Sequence, residues 1–346
     1  MRKRIGIIVL AVFLAGAAGM FYLYQRFIVH ASVPAGLEDS AYLIHIPTGA
    51  DFEQVLDTLT QKGIVQDEPL FRKLSERMAY QRDPMRAGRF QLKPNMRMHE
   101  LIRHLRGGKQ APVDLVLTNE RLLENVAAKA ARFIEPDSQA IAEFLLHDPY
   151  IEEIGYTRQT LMSLFIPNTY EFFWNTDPKG FVDRMQKEHE RFWSAGNRRQ
   201  KAQKLGLTPA EVYTLASIVE KETLRNEEKK RMAGVYLNRL DRGMLLQADP
   251  TSVFATRDFD TPRVTNYHTQ FDSPYNTYLY KGLPPGPITM TSISSIDAVL
   301  NAEKHDYIFF CAIGDGSGLH NFARTLAQHN RNAQIYRQNL RQRGLR

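Results

Sequence analysis

The sequence predicts an α+β chain: an N-terminal transmembrane helix, then a compact strand-and-helix module, then a mixed helical and loop-rich domain. Three observations carry this reading. An uncharged run, Ile5–Tyr24, follows Arg2, Lys3 and Arg4. A strand-then-helix pattern returns after about 46 residues. A capped amphipathic helix opens at Thr208, and beyond it the chain turns to loops rich in Gly, Pro and Asn. At 346 residues and 43% hydrophobic content there is material for two packed domains.

The run Ile5–Tyr24 has roughly the 20 residues that a bilayer-spanning helix needs. The basic cluster keeps residues 1–4 in the cytoplasm and sends everything after Arg26 across the membrane. A cleaved signal peptide competes with this, because Ala15 to Gly19 are all small. Cys311 is the only cysteine, which excludes an intramolecular disulfide and a cysteine-rich zinc site. The net charge of +7 collects at the ends. From Gly316 to Arg346 there are six arginines and no acidic residue, a pattern that reads as a solvated helix face or an attraction to anionic lipid rather than a nucleic-acid surface.

Ala41–Ile46 alternates like a strand, and Phe52, Val55, Leu56 and Leu59 form a helical stripe that Gly63 ends. The pattern recurs with Phe90–Leu92 as strand and Met98, Leu101, Ile102 and Leu105 as stripe. An extra helix lies around Phe71–Met78. A third copy would take Val113–Leu117 as strand and Leu123, Val126, Ala127 and Ala130 as stripe. The expected boundaries are a module at 40–108, a connecting segment at 109–160 with a helix at Ser138–His147, and a main domain at 161–346 that opens in an aromatic, loop-like stretch, Leu161–Phe173.

Thr208, Pro209 and Glu211 form a capping box with proline at the first helical position, so a helix runs from there through Glu222. Val212, Leu215, Ala216 and Val219 face a core, which leaves Glu220 and Glu222 on opposite shoulders. Half-burial raises a carboxyl's pKa, as a general acid at neutral pH requires. Ser217 and Tyr213 favour Glu220, because they would make its side polar and accessible; an ion pair with Lys221, Arg225, Lys229 or Lys230 is the structural alternative. Asn226 is placed to cap the next helix, which Gly243 ends. Asp249 is either a second carboxylate, which a hydrolase needs, or the N-cap of a helix with Pro250 at its first position. Tyr275 and Tyr278 suit stacking on sugar faces and Asn276 suits an N-acetyl group, though Pro274 and Asn276 also make a turn. "GLPPGPI" reads as rigid scaffolding. His320 lacks a second ligand at metal spacing and "GDGSG" lacks the Gly-Lys-Ser/Thr of a phosphate loop, so neither a metal nor a cofactor is expected.

Five ordered motifs, "ASIVEKE" (Ala216 to Glu222), "QADPT" (Gln247 to Thr251), "SPYNTY" (Ser273 to Tyr278), "GLPPGPI" (Gly282 to Ile288) and "HNFARTLAQHN" (His320 to Asn330), resemble the YceG-like family of membrane-anchored endolytic murein transglycosylases. Upstream, "IPTGADFEQVLDTL" and "AGRFQLKPNMRMHELIRHL" resemble that family's LysM-like module. The resemblance implies a lyase that cuts the β-1,4 bond from N-acetylmuramic acid to N-acetylglucosamine, leaves 1,6-anhydro ends and terminates nascent strands at the inner membrane. Its catalytic domain would be periplasmic, its partners peptidoglycan strands, the membrane and cell-wall synthases. It implies Glu220 as the catalytic residue, Gln247, Tyr275, Asn276, Tyr278 and His320 as substrate contacts, and Glu222, Asp249 and Ser217 in support. Ala248 stands where the family often has Thr, Asn168 where it often has Asp, and "LTNERL" lacks the usual Glu-Gly. The competing functions are a hydrolytic muramidase using Asp249 and a non-catalytic peptidoglycan-binding scaffold.

The topology is checked directly. A reporter fused after Arg346 is expected to be active only outside the cytoplasm, and N-terminal sequencing of the mature protein that begins near Met20 would defeat the anchor.

Overall fold

The computed structural model describes residues 2–24 and 32–345; Met1, Arg26 and Arg346, which the topology reading uses, lie outside the described residues. Among the described residues the architecture is mixed α+β, with many helices and three two-stranded sheets. Helix α1 (Arg2–Tyr24) covers the uncharged run, and its described large apolar side chains, from Ile8 to Tyr24, are exposed. Among the described residues no helix is long and apolar enough to cross a membrane. The side chains at positions 5–7, 9 and 23 of that run lie outside the description.

The chain divides into two compact units. Among the described residues the first holds 2–24, 32–114, 133–135 and 171–177. Strand β1 (Leu43–Ile46) points Ile44 and Ile46 into its core, as the alternation requires. A capping box between Asp51 and Gln54 starts α2 (Phe52–Gln61), and Asp67 caps α3 (Glu68–Arg77). Strand β2 (Gly88–Gln91) pairs antiparallel with β1, and α4 (Met98–Gly107) buries the second stripe, Met98, Leu101, Ile102 and Leu105. Within this unit Glu135 accepts from the Thr48 amide at 2.6 Å and from its hydroxyl.

Strand β3 (Val113–Leu117) corrects the expectation of a third repeat. It does not join the β1–β2 sheet; it pairs with β4 (Asn168–Phe172). The stretch Leu161–Phe173 was expected as loop, yet it forms a 3₁₀ turn at Leu161–Leu164 and then β4. Its carbonyls explain part of this: Phe165 and Ile166 accept the buried hydroxyls of Tyr213 and Tyr170 at 2.7 and 2.6 Å.

The second unit holds residues 115–132, 136–170 and 178–345 of the described chain. Helices α5 (Leu123–Ala130), α6 (Ser138–Leu145), α7 (Asp148–Glu153), α8 (Pro178–Ser194) and α9 (Arg198–Lys204) lead to α10 (Pro209–Glu222). Thr208 caps α10 in the expected box, and residues 212 to 219 are all buried, so this helix is the axis of the unit's core. Against it pack α11 (Asn226–Asp241), α12 (Asp249–Thr256) and, past the short α13 (Asn266–Thr269), α14 (Ile293–Leu300). Strands β5 (Phe309–Ala312) and β6 (His320–Ala323) form an antiparallel hairpin before α15 (Leu326–Gln342).

Two caps differ from expectation. Arg225, not Asn226, precedes α11 as its N-cap. Ala248, not Asp249, is the N-cap of α12, and its methyl offers no acceptor; Asp249 is the first helical residue and its carboxylate accepts from Tyr278. The segment "GLPPGPI" behaves as scaffolding through one close approach: a Cβ at Gly286 would stand 1.9 Å from the Gln159 carbonyl oxygen. Backbone cannot yield as a side-chain tip can. Gly286→Ala is expected to cost about 1–3 kcal/mol by overpacking, read as a lower thermal midpoint.

Candidate active site

The last turn of α10 carries Glu220 and Glu222 two residues apart, and tertiary contacts give them opposite environments. The Glu220 carboxylate is fully engaged. Asn119 Nδ2 donates to Oε1 at 3.0 Å; Lys229 Nζ at 3.0 Å, Ser292 Oγ at 2.5 Å and Ser295 Oγ all donate to Oε2. Its side chain is 11% exposed and that of Lys229 6%, so this is a nearly buried ion pair. Ser292 also caps α14, accepting from the Ser295 amide at 3.3 Å, which sets the Glu220 charge against the positive end of that helix.

These contacts correct the expectation for Glu220. Burial alone would raise its pKa, but the hydroxyls of Ser292 and Ser295 and the Lys229 ammonium together outweigh that and hold it below the ordinary glutamate value. The polar, accessible flank foreseen beside it is absent too. Ser217 is buried, donating to the Thr214 carbonyl at 2.7 Å and accepting from the Ile288 amide at 3.0 Å. Tyr213 is buried, its hydroxyl bonded to Phe165 and to the Thr291 amide at 3.1 Å. Both are structural.

Glu222 differs in each respect. It lines a cavity of about 260 Å³ with Arg121, Lys221, Asp249, Pro250, Val253, Phe254 and Phe259. Its Oε1 accepts from Tyr236 Oη at 2.7 Å, and among the described residues Oε2 has no hydrogen-bond partner. Part of its surface is open to the cavity, while the protein packed around the rest pushes its pKa up to about 7. Loss of solvation is the main cause; the Tyr236 hydroxyl opposes it, the Asp249 charge adds to it, and Arg239 opposes it. Asp249 is exposed and accepts from Tyr278 Oη at 2.5 Å. A carboxyl whose pKa is raised toward neutrality is what a general acid requires.

The remaining foreseen contacts separate. Tyr275 lines a second cavity, of about 270 Å³, with Arg121, Phe254, Arg257 and Pro287, and its ring lies 4.8 Å from that of Phe254. Asn276 is a correction. It is fully buried, donating to the carbonyls of His268, Thr269 and Phe271 and accepting from the Tyr278 amide, so it ties the loop and leaves nothing for an N-acetyl group. Gln247 adopts a left-handed φ of 49° and donates its amide to the Thr277 carbonyl at 3.0 Å. His320 meets Glu228 twice, through its amide at 2.8 Å and Nδ1 at 2.9 Å. Neither Gln247 nor His320 lines the two cavities. Sequence reading passed over Arg121 and Phe259, whose stacking at 4.4 Å closes one wall; the charge in "LTNERL", between a strand and a helix, was the available signal.

Known proteins share this framework. The family model described as YceG-like matches residues 44–335. A protein of Streptococcus pneumoniae strain D39, named endolytic murein transglycosylase, is 28% identical over 349 residues, covering 91% of this chain and 62% of its own length. The chain therefore spans less than two thirds of that relative. A Bacillus subtilis protein of the same name is 26% identical over 315 residues, covering 85% of this chain and 84% of its own. The crystal structure of a Listeria monocytogenes protein described as YceG-like superposes with a TM-score of 0.55 at 26% identity, covering 84% of this chain and 98% of that one.

The two glutamates are expected to respond oppositely. Glu220→Gln leaves Lys229 buried without its counter-ion, so it should destabilise by about 3–5 kcal/mol at neutral pH. Glu222→Gln should do the reverse. With its folded pKa raised, wild-type Glu222 binds a proton more tightly folded than unfolded, so its contribution is present at low pH and is lost as pH rises from about 4.5 to about 7. Thermal midpoints across that window should flatten in Glu222→Gln and gain above pH 7.

Proposed function

Because the chain belongs to the YceG-like family, we propose that it is an endolytic murein transglycosylase, a lyase of peptidoglycan strands, with Glu222 rather than Glu220 as its acid. The observation that carries the assignment is the contrast on α10: Glu220 has both oxygens occupied, whereas Glu222 faces a cavity with one oxygen unpartnered and a pKa near 7.

In this mechanism the Glu222 proton passes to the glycosidic oxygen as the bond from C1 of the muramyl residue breaks, and the N-acetylglucosamine side leaves as an alcohol. The resulting carboxylate then takes the proton of the muramyl 6-hydroxyl as that oxygen bonds to C1, which regenerates the acid and closes the 1,6-anhydro ring. The nucleophile belongs to the same sugar, so no second residue has to activate water, and such proximity supplies up to about 7–11 kcal/mol of the barrier. Tyr236 holds Glu222 in place through Oε1; burial is the main cause of its raised pKa, and the charge of Asp249, fixed by Tyr278, adds to it.

A second reading has one observation in its favour: Asp249 lines the same cavity. As a base it would activate water and make the enzyme a hydrolytic muramidase. Two further elements belong to the proposal. Helix α1 anchors the protein in the inner membrane with the rest outside the cytoplasm, supported by the basic cluster and the exposed apolar side chains from Ile8 to Tyr24. The β1–β2 module acts as a LysM-like element that positions glycan, supported by the motif resemblance and the absence of a candidate acid on its stripes.

Mass spectrometry of glycan products decides between these. The wild type should release anhydromuramyl ends; ends heavier by one water select the muramidase. Glu222→Gln should lower turnover by about 10²- to 10⁴-fold, and the wild-type rate should decline above about pH 7 as the acid loses its proton. A folded Glu220→Gln protein that is inactive beside an active Glu222→Gln protein would return the role to Glu220.

A further inference from the structure

Arg121 lines both the Glu222 cavity and the Tyr275 cavity, and its guanidinium lies over the Phe259 ring at 4.4 Å. Lys221 lines the first cavity from the α10 side. Among the described residues neither cation has an ion pair or a side-chain hydrogen bond, and the two are close enough for Arg121 to lower the proton affinity of Lys221, an effect second only to burial. The carboxyls on the same cavity are bound elsewhere: Asp249 accepts from Tyr278 and Glu222 from Tyr236, and among the described residues neither forms an ion pair with Arg121 or Lys221. Lys221 is exposed and Arg121 half-buried, and Glu220 acts on Lys221 less than Arg121 does, so the two cations present a local positive field to an anion that enters the cavity.

The flat guanidinium, already fixed on an aromatic face, matches a planar carboxylate through two parallel hydrogen bonds. On an intact strand the sugars are uncharged and the muramyl lactyl group is consumed in an amide, so the anions a strand offers are carboxylates of its stem peptides. We infer that Arg121 and Lys221 bind a stem-peptide carboxylate on the muramyl unit beside the cut, making Arg121 a specificity determinant for strands whose stems are not amidated. This rests on the murein reading above.

The test measures binding without turnover. Full-length protein in detergent micelles, carrying Glu222→Gln to arrest cleavage, is titrated with uncrosslinked strands whose stem carboxylates are free or amidated. Free-carboxylate strands should bind about tenfold or more tightly. Adding Arg121→Gln should weaken their binding by about ten- to a hundredfold and leave amidated strands nearly unaffected. Arg121→Lys, which keeps the charge and loses the fork, should fall between, and Arg121→Met, which keeps an apolar stem over Phe259, should match Arg121→Gln. Equal affinity for the two strands overturns the inference, as does an Arg121→Gln loss that is the same on both. The murein reading is judged separately by anhydro ends from the wild type, so either fails without the other.

Discussion

The Glu220–Lys229 ion pair is the joint on which the second unit depends. It links α10 to α11, and through Ser292 and Ser295 it also seizes the first turn of α14. Two charges removed from water in this way repay their desolvation only when the remaining hydrogen-bonding capacity is filled. Here it is filled: Asn119 takes the second oxygen, and Ser294 Oγ lies 3.2 Å from the Lys229 ammonium. Three helices and the segment before α5 thereby converge on one carboxylate.

That joint leaves the next acidic residue on the helix facing a cavity, where the proposed mechanism uses it. Two residues along an α-helix is a rotation of about 200°, so anchoring Glu220 in the interior turns Glu222 to the other side, over the loops of α12 and Phe259. The two carboxyls have separate tasks because their partners differ, not because their residue types do. Lowering the pKa of one carboxyl and raising that of the other within a single turn gives one helix end two acids of different strength, which the proposed mechanism requires.

What could be read from the sequence follows the range of the interaction. The capping box at Thr208, the stripes of α2 and α4, and the extent of α10 are decided within a few residues, and they stand as written. The contrast between the glutamates was not legible, because the residues that set the surroundings of Glu220, Asn119, Ser292 and Ser295, are 101, 72 and 75 positions from it. Local rules misled at Asp249, where a cap-like sequence serves a tyrosine 29 residues away, and at Asn276, where a polar side chain suited to a ligand is spent on three loop carbonyls. The third repeat failed for a related reason: strand pattern does not specify strand partner, and β3 found β4.

Glu222 is also the final residue of α10, with Thr223 as its C-cap. The carbonyl dipoles of a helix sum to a partial negative charge at this end, which disfavours a second negative charge there. The backbone itself thus biases the carboxyl toward its protonated form, independently of Asp249 and of the cavity's shape. The cap Thr223 is buried, and Leu224, one residue on, is 93% exposed, so the chain reaches solvent immediately after the cap. Glu220 lies in the same turn, so those dipoles stay aligned for as long as its bonds to Lys229, Ser292 and Ser295 hold, which couples the acidity of the site to the integrity of that joint.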